Sequence, residues 1–598
     1  MTGVQTCALP IWYGDGGSGV TEQMLEYARR IPAIPGLPEV RHIRGDRFLE
    51  ETLGSAEDLE VWDGELYLEM HRGTFTTKGK LKRENRQLEI LLRDAEILSA
   101  FSAARGSDYP RGDLTAAWKL LLINQFHDIL PGTHISPVTR DALADYAGIH
   151  ETASRLFSDA AQSLGLIPEK EGSSDRVILL NTLTWPRKGP VFAAGDFAEG
   201  ETAAGVPCQS GVCAGERGMW MDVQEIPALS AAAPETGASS EEDTWYSFDS
   251  GTLETPFFQA EFRDDGSFGS LIYRKLSREI AEPGGSLNRL AVFHDYPGKY
   301  DAWDIRANWE DREEKTAVTD PLKVISDGPV CMELGIGFSV GNSSWRQTIR
   351  FFRTDPRIEF EHEVDWHERN RLAKAMFDFN MRARSASCDT SAGTIVRPVH
   401  RNTSWEQARF EVCHHKWAAL SEGDFGVAVL NDSKYGISFR ENHAGVSLLR
   451  GSVRPDPYAD EGRHCFRLAL LPYTGSPESA GVPEAGWAFN VPVYVFRGGE
   501  PLSSLISIDT PDLHLQAAKC AEDPGSGLVV RLCEIHGNRG TADISFAQPV
   551  HSAVQTDLLE DTLASSDVTV SGTAVRIRYR PWQILTLRVE FGGPVQPA

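Results

Sequence analysis

The stretch HRGTFTTKGKLKRENRQLEILLRDAEILSAF, residues 71–101, decides how the first third of the chain is organised. Its apolar side chains recur near the spacing of one helical face, and charged side chains fill the remaining positions. The apolar repeat consists of Leu81, Leu88, Leu91, Leu92 and Ala95. This pattern predicts an amphipathic helix whose apolar face packs on other helices.

Two more helices are predicted downstream. One runs from about Leu114 to Ile129, with Asp113 as its N-cap and a stop at Pro131-Gly132. The other runs from about residue 137 to residue 164. With the first helix they predict a small three-helix bundle within residues 61–168.

Residues 12–60 are typical of the last unit of a larger α/β domain. The Gly-rich stretch YGDGGSGV, residues 13–20, precedes a predicted helix capped near Thr21, and another helix is predicted from about Asp46 to Leu53. The first eleven residues, MTGVQTCALPI, share no pattern with the rest of the chain. We expect residues 1–11 to be an artefactual leader and exclude them from the fold.

After Lys170 the pattern changes to β structure. Short apolar runs such as VILLN (residues 177–181) and GVAVLN (426–431) stand between Gly, Pro, Asp and Asn turns, which predicts large antiparallel β-sandwiches. The stretch AAAPETGASSEED, residues 231–243, is small and acidic and is expected to be an exposed linker. We therefore predict a multidomain α+β protein with a β region at 175–235, a β-sandwich at 244–498 and a terminal β-sandwich at 499–598.

The composition limits the partners that this chain can have. Its 59 Lys and Arg residues stand against 85 Asp and Glu residues, a net charge of −26 that disfavours nucleic acid and anionic membranes. The sequence has no apolar run long enough for a membrane span and no charged-then-apolar leader, so a cytoplasmic location is expected. Nine scattered cysteines do not suggest a disulfide framework or a zinc ribbon.

His127 and Asp128, in NQFHDILPGT (residues 124–133), are the first candidates for a functional site. A neutral imidazole is a suitable ligand for a divalent metal, and an adjacent carboxylate at the mouth of a cleft can accept hydrogen bonds from sugar hydroxyls. The alternative is a structural histidine with local hydrogen bonds, because metal sites need several ligands and none stands at helical spacing beside it. The residues alone leave both interpretations open.

Asp15 lies between Gly14, Gly16 and Gly17, where a backbone without side chains allows close approach of a ligand. Its carboxylate could act as a general acid/base, or it could simply hydrogen-bond the backbone of a Gly-rich turn. Gly14, Gly16 and Gly19 also fit the G-x-G-x-x-G spacing. The negative charge and the missing acidic partner after a second strand disfavour a dinucleotide site.

His71 and Arg72 precede a Gly-Thr pair and a helix, a place where side chains can project from a loop into a cleft. Arg72 could equally pair with Asp94 or Glu69 on the surface.

Two of the fourteen tryptophans, Trp303 and Trp405, lie among Asp, Asn and Arg residues. Such surroundings suit the mixed apolar and hydroxylated faces of a sugar, although buried tryptophans of a sandwich are the commoner case.

Six segments, taken in order, resemble family 38 α-mannosidases of the bacterial and cytosolic type. The resemblance covers the chain from about Trp12 to its end. The segments are YGDGGSGVTEQMLE (13–26), ELYLEMHRGTFTTKGKLKRENRQLEILLRDAE (65–96), NQFHDILPGT (124–133), LNRLAVFHDYPGKYDAWDI (287–305), RPVHRNTSWEQARFEV (397–412) and GVAVLNDSKYG (426–436).

This resemblance implies an architecture and a zinc site. Residues 12–60 would be the C-terminal remnant of a β/α barrel-like catalytic domain, followed by the helical bundle and the β-sandwiches. A single Zn²⁺ would bind substrate hydroxyls, with His127 in the place of the family's helical zinc-ligand histidine. Asp128 would contact the bound mannose, Asp15 resembles the acid/base carboxylate, and His71 resembles an active-site loop position.

The reaction implied by the resemblance is retaining hydrolysis of terminal α-D-mannosides of oligosaccharides, with one carboxylate as nucleophile and another as acid/base. The family's His-x-Asp zinc ligands and its aspartate nucleophile have no counterparts here. With only His127 of four expected ligands, the chain alone is expected neither to hold zinc tightly nor to hydrolyse mannosides. Two alternatives are a non-catalytic carbohydrate-binding β-sandwich protein and a structural scaffold that assembles as a homo-oligomer.

Overall fold

The structure is a computed structural model that describes residues 20–37, 43–53, 59–168, 176–195, 197, 206–234, 244–523, 525, 527–564 and 567–592. The chain divides into two units, Met1–Tyr67 and Leu68–Ala598. None of the described helices is both long and apolar enough to cross a membrane.

The first unit contains two short helices, α1 (Glu22–Arg30) and α2 (Gly45–Leu53), and a 3-10 turn at Ile31–Ala33. Thr21 is the N-cap of α1, and its hydroxyl accepts a hydrogen bond from the backbone N–H of Met24 at 3.3 Å. Both helices predicted here from the sequence are confirmed. Neither helix has a buried residue. The predicted barrel-like remnant remains an expectation, and Asp15 lies outside the described residues.

The second unit begins with three helices, α3 (Gly79–Ala104), α4 (Arg111–Asn124) and α5 (Ser136–Ser163). Apolar side chains from all three form one cluster that includes Leu88, Leu121 and Ile149. The predicted N-cap of α4 is wrong, because Pro110 and not Asp113 holds that position. Asp113 lies in the first turn of the helix, where it pairs with Arg155 at 2.6 Å. The predicted end at Ile129 is also wrong, because the helix stops at Asn124.

The charged face of α3 is buried as well, contrary to the amphipathic prediction. Arg86, only 4% exposed, donates to the hydroxyl of Tyr435 at 2.9 Å and to the side chain of Asn490 at 2.8 Å. Arg93 donates to the carbonyl of Leu515 at 2.8 Å. Tyr435, Asn490 and Leu515 all lie after residue 176, so α3 packs on helices with one face and on this mostly β part of the unit with the other.

The rest of the second unit is β structure with two short helices, α6 (Ser404–Ala408) and α7 (Val482–Asn490). The first strands are β1 (Val177–Asn181), β2 (Arg187–Ala194), β3 (Cys208–Cys213), β4 (Glu216–Ile226) and β5 (Ser230–Ala232). The next are β6 (Ser247–Asp249), β7 (Thr252–Glu254), β8 (Phe258–Phe262), β9 (Phe268–Tyr273), β10 (Arg278–Glu279), β11 (Leu287–His294), β12 (Glu313–Glu314), β13 (Ala317–Asp327), β14 (Cys331–Val340), β15 (Ser343–Phe352), β16 (Ile358–Trp366), β17 (Arg371–Asp378), β18 (Ser385–Thr390), β19 (Gly393–Pro398), β20 (Val412–Cys413), β21 (Trp417–Glu422), β22 (Phe425–Asn431), β23 (Gly436–Arg440), β24 (His443–Arg450), β25 (Gly462–Thr474) and β26 (Tyr494–Arg497). The last are β27 (Ile506–Ile508), β28 (Leu513–Cys520), β29 (Leu528–Glu534), β30 (Gly540–Phe546), β31 (Val550–Thr556), β32 (Thr569–Ser571), β33 (Ala574–Tyr579) and β34 (Ile584–Phe591).

Two large antiparallel sheets form the main sandwich. One has the order β20-β23-β24-β17-β11-β9-β8-β7-β6, and the other has the order β13-β14-β15-β16-β25-β22-β21-β18-β19. Aromatic side chains join their inner faces, where Phe268 of the first sheet meets Phe351 and Phe360 of the second at ring-centroid distances of 6.2 Å. The multidomain α+β class with mostly antiparallel sheets therefore agrees with the prediction.

The terminal strands form two smaller sheets, β27-β30-β33-β32 and β28-β29-β34-β31. Their shared core is continuous with the ends of α3 and α5, because Leu98 and Phe157 belong to the same cluster as Val530 and Leu587. The helices and the end of the chain are thus packed as one core.

A small sheet joins distant parts of the chain, in the order β26-β1-β5. Leu180 of β1 pairs with Tyr494 on one side and with Ala231 on the other. The sequence places Ala231 in an exposed linker, but this residue is only 2% exposed in a strand. That part of the linker prediction is wrong, and residues 235–243 lie outside the described part of the chain.

Candidate functional site

His127 and Asp128 lie in the turn that follows α4, not on the helix itself. Their side chains are 76% and 57% exposed, and His127 Nε2 lies 3.6 Å from Asp128 Oδ2. The ring of Phe126 lies against the imidazole, with centroids 4.1 Å apart. The turn therefore presents an imidazole and a carboxylate side by side to solvent.

Buried polar contacts fix the start of this turn. Asn124, 2% exposed, donates from its amide to Asp145 of α5 at 3.0 Å. Gln125 donates to Asn85 at 3.0 Å and to Glu89 at 2.8 Å, both on α3. These bonds hold the two residues that precede Phe126 against both neighbouring helices. Gln125 is the C-cap of α4, so these bonds lie where the helix ends.

A buried lysine and a glycine fix the end of the turn. Lys82 of α3 donates from Nζ to the carbonyls of Leu130 at 2.9 Å and Pro131 at 3.3 Å. Gly132 has a φ of +87°, and a Cβ there would lie 2.6 Å from the carbonyl oxygen of Thr77. Only glycine combines this left-handed conformation with so close a backbone contact. The turn is thus fastened to the residues just before α3.

The next residues of the motif are tied to the main sandwich through Lys78. The Lys78 ammonium, 1% exposed, lies 2.9 Å from Asp456 and 3.1 Å from Nδ1 of His134. Asp456 also accepts from the hydroxyl of Ser136, the first residue of α5, at 2.6 Å. Asp460 accepts from the backbone N–H of Lys78 at 2.7 Å. A short polar chain therefore connects the segment after His127 with the segment between β24 and β25.

Burial controls the ionisation of these groups. It lowers the pKa of the Lys78 ammonium below its ordinary range, although Asp456 and Asp460 oppose this shift. It lowers the pKa of Lys82 to about 7. Burial also lowers the pKa of His134, whose Nδ1 lies 3.1 Å from Lys78 Nζ and 3.1 Å from the carbonyl oxygen of Ile135.

His71 lies in a second loop, just before α3, that is anchored to the main sandwich. Its neighbour Arg72 donates from Nη1 to both carboxylate oxygens of Asp304, at 3.0 and 3.1 Å, and its guanidinium stacks on the ring of Phe410 at 4.4 Å. The backbone N–H of Gly73 donates to the carbonyl of Trp303 at 2.8 Å. The sequence left open a surface pairing of Arg72 with Asp94 or Glu69; the structure pairs it with Asp304, which is distant in sequence and which no local signal indicates.

The loops that carry His71 and His127 meet through their backbones. Gly132 packs on Thr77 and Lys78, which follow His71 by a few residues, and His134 bonds Lys78. His71 itself is half-buried, and its Nδ1 lies 3.4 Å from the carbonyl of Glu69. The structure thus brings the segments containing His71 and His127 together.

The two tryptophans singled out from the sequence differ in their surroundings. Trp303 is half-buried beside the loop of His71, and its ring meets that of Tyr300 edge-on at 5.8 Å. Trp405, on α6, is 58% exposed. The backbone of Trp303 therefore contacts the loop that carries His71.

A metal centre is not complete within the described residues. No group of three or more His, Cys, Asp or Glu side chains among them is placed to hold a metal ion. The turn offers one imidazole and one carboxylate, whereas zinc sites take three or four protein ligands. The donor types at the turn suit zinc, but their number does not.

The sequence did not indicate Lys78, Lys82, Asp456 and Asp460 as part of this region. The lysines stand in a run rich in charged residues that is typical of a solvent-exposed helical face, and the aspartates lie more than 370 residues away from them. The available signal in the sequence was Gly132, which was predicted to end the helix.

Three family models match the chain. Residues 69–164 match the alpha mannosidase middle domain, residues 253–458 the glycosyl hydrolases family 38 C-terminal domain, and residues 512–587 the glycosyl hydrolases family 38 C-terminal beta sandwich domain. Together the three matches cover more than half of the chain.

Similar proteins bear α-mannosidase names. The chain is 32% identical to Alpha-mannosidase 2C1 of Homo sapiens, over 97% of this chain and 56% of that protein. It is 29% identical to Alpha-mannosidase G of Dictyostelium discoideum, over 96% of this chain and 57% of that protein. The chain thus spans about half the length of the curated relatives that it matches.

The fold also resembles a solved structure, the crystal structure of an alpha-mannosidase from Enterococcus faecalis V583. The TM-score is 0.76 at 16% sequence identity, with 96% of this chain and 75% of that chain covered. Because three family models and the named relatives match, the chain belongs to glycosyl hydrolase family 38.

Proposed function

We propose that this chain is part of a zinc-dependent retaining α-mannosidase that hydrolyses terminal α-D-mannosides of oligosaccharides. The observation that carries the proposal is the exposed His127–Asp128 pair on a turn whose two ends are fixed by buried bonds. A structural histidine satisfies its polar atoms locally, whereas this imidazole is three-quarters exposed on a rigid support. Rigid presentation of an exposed imidazole and carboxylate is what a ligand site requires.

His127 is the proposed zinc ligand in this chain. When bound, the ion would act as a Lewis acid for substrate hydroxyls and supply positive charge near the reacting sugar. The neutral imidazole would donate a nitrogen lone pair, and the remaining ligands would come from outside the described residues. Because zinc sites take three or four protein ligands, the 598-residue chain alone is expected to bind zinc weakly and to be inactive.

Asp128 is the proposed sugar-binding carboxylate. Thr133 donates from its hydroxyl to Asp128 Oδ1 at 3.3 Å, which leaves the exposed carboxylate available to accept further hydrogen bonds. A bond to a mannose hydroxyl would orient the ring beside the metal. His71 is proposed as a second substrate contact, since its loop packs on the turn.

Asp15 remains the proposed acid/base. In a retaining mechanism, this carboxyl would protonate the leaving oxygen and later accept a proton from water, while a second carboxylate about 5–5.5 Å away attacks the anomeric carbon. That nucleophile is not assigned to a residue of this chain.

The carbohydrate-binding alternative is not favoured, because the named relatives are α-mannosidases along nearly the whole chain. Apolar side chains around the turn support a larger site: Leu122, Ile123 and Phe126 are 57–60% exposed, and such a patch is typical of a surface that another part of a protein covers. Cytoplasmic location and homo-oligomer formation remain predictions.

The test compares two proteins, the 598-residue chain and the same chain extended by the upstream reading frame of its genomic DNA. We expect stoichiometric zinc and turnover of an aryl α-mannoside only in the extended protein. In that protein, His127→Ala should remove most of the zinc and lower kcat/KM at least ~100-fold, the scale on which loss of a group that supports a metal lowers activity. The matched control is His551→Ala, an exposed histidine on β31.

Full zinc content in the His127→Ala variant would show that His127 is not a zinc ligand. Stoichiometric zinc and turnover in the 598-residue chain would instead show that the chain holds a complete site. An upstream frame without His-x-Asp, in a protein that turns over no mannoside, would favour the carbohydrate-binding alternative.

A further inference from the structure

We propose that Lys82 is a positioning residue for the His127–Asp128 pair, an inference that rests on the proposed function. Lys82 lies one turn into α3 and is 4% exposed. Its ammonium bonds backbone carbonyls of the turn rather than the side chains of the pair. Lys82 would therefore influence His127 and Asp128 through the backbone that follows this pair.

The geometry of the ammonium group carries the inference. Lys82 Nζ donates to the carbonyl oxygens of Thr77 at 2.5 Å, Leu130 at 2.9 Å and Pro131 at 3.3 Å. An ammonium has three N–H donors, so three carbonyls in these positions use all of them. One acceptor precedes α3 and two belong to the turn. Lys82 therefore clamps the turn to the start of the helix.

The chemical cost of this arrangement argues against a simple packing role. Removing an ammonium from water costs several kcal/mol, and a methionine of similar length would fill the same space without that cost. Burial depresses the pKa of Lys82 to about 7, while the negative charge of Asp460 opposes this shift. What a lysine adds over an apolar side chain is directed bonds that place two particular carbonyls.

Those carbonyls are close to the candidate ligand along the chain. Leu130 follows His127 by three residues and Asp128 by two, with Asn124 and Gln125 fixed on the other side. The turn is thus fixed at both ends, and Lys82 fixes the end that follows Asp128. Metal–ligand distances tolerate only about 0.2 Å of error, so a loosened turn would misplace the imidazole.

The first experiment measures amide hydrogen exchange in the 598-residue chain, which needs neither zinc nor activity. The variants are Lys82→Met and the matched control Lys80→Met, an exposed lysine on the same helix. We expect Lys82→Met to speed exchange of residues 126–134 at least tenfold while residues 84–104 of α3 stay protected, and Lys80→Met to change neither. Unchanged exchange at 126–134, or an equal rise throughout α3, α4 and α5, overturns the proposal.

Lys82→Arg covers the case in which Lys82→Met does not fold. Arginine keeps the positive charge and several donors but is longer, so the variant should fold and show a smaller rise in exchange confined to the turn. If Lys82→Arg folds with wild-type exchange at 126–134 while Lys82→Met is unfolded, Lys82 serves global folding and the positioning role is wrong.

The second experiment uses the extended protein. Lys82→Arg, and Lys82→Met where it folds, should lower kcat at least tenfold with a smaller change in KM, because the sugar still binds but the metal is misplaced. Faster exchange with unchanged kcat would overturn the positioning role and leave the proposed function standing. Absence of both stoichiometric zinc and aryl α-mannoside turnover from the extended protein would remove the proposed function itself.

Discussion

Arg72 and Asp304 join the loop before α3 to the main sandwich across 232 residues of sequence. The arginine side chain is 8% exposed and the aspartate side chain 22%. Beside them, a Cβ on Gly73 would lie 2.6 Å from Nη1 of Arg450 and 3.0 Å from the backbone of Asp304. The position of His71 is therefore set by the sandwich as much as by its own loop.

Arg72→Met should destabilise the second unit by about 3 kcal/mol, since loss of one partner leaves a largely buried carboxylate uncompensated. Asp304→Asn should cost less, because an amide still accepts a hydrogen bond. Urea unfolding of the two single variants and the double variant measures the coupling. Additive effects, with coupling below about 0.5 kcal/mol, would show that the pair is not an energetic unit.

Gly132→Ala should be more harmful than Gly106→Ala. Both glycines have positive φ, +87° and +101°, but a Cβ at Gly132 meets the carbonyl of Thr77 whereas a Cβ at Gly106 meets nothing within 4 Å. The left-handed conformation alone should cost about 1–2 kcal/mol in either variant. The clash should add at least about 1 kcal/mol at Gly132. Thermal unfolding that ranks the two variants equally would contradict this assignment.

His536 should make stability depend on pH. Burial alone would lower its pKa, but Glu484 of α7 and Asp512, each 2.9 Å from a ring nitrogen, raise it from 6.5 to about 9. The folded chain thus binds more protons than the unfolded chain between these values. The contribution is complete below pH 6.5 and is lost as pH rises through 9, a change of up to about 3 kcal/mol.

The measurement is the urea midpoint between pH 6 and pH 9.5. His536→Gln should reduce the fall in stability across this range, and the exposed control His551→Gln should leave it unchanged. A His536→Gln profile that superimposes on the wild-type profile would show that the imidazolium does not stabilise the contact with α7.

Lys374 and Glu411 form a fully buried pair, both side chains 0% exposed and 2.6 Å apart. Lys374→Met should destabilise the main sandwich by about 3–5 kcal/mol, because it leaves a buried carboxylate without its cation. Adding Glu411→Leu should recover part of this loss by removing the unpaired charge. The exposed pair of Arg576 and Asp543 is the control: Arg576→Ala should leave stability almost unchanged, because solvent screens this pair.

Local sequence signals were sufficient for several elements. The capping threonine at Thr21 located α1, and Pro137 with the apolar repeat after it located α5 to within a residue at each end. The runs VILLN and GVAVLN became β1 and β22. In each case the signal lies in the residues of the element itself, so no distant partner is needed to detect it.

Features that depend on long-range contacts could not be predicted from the sequence. Ile129 looks helical because it is apolar at the right spacing, but it reaches the helical core from a turn. The charges of Arg86 and Arg93 look solvent-exposed, yet backbone carbonyls 329 and 422 residues away accept hydrogen bonds from them. The prediction of His127 as a zinc ligand rests on the ordered motifs, because the residues that fix its turn belong to other elements.

The pairing of β1 with β26 has a consequence during synthesis. Residues 182–493, which include the whole main sandwich, lie between these two strands. At roughly 5–20 residues per second, a ribosome needs about 15–60 seconds to make that stretch. For this time the apolar strand VILLN lacks its second neighbour and the cores of α3 and α5 lack the terminal strands. Nascent chains are therefore most vulnerable to aggregation before β26 and the terminal strands have been made, and slower elongation across residues 182–493 should favour misassembly.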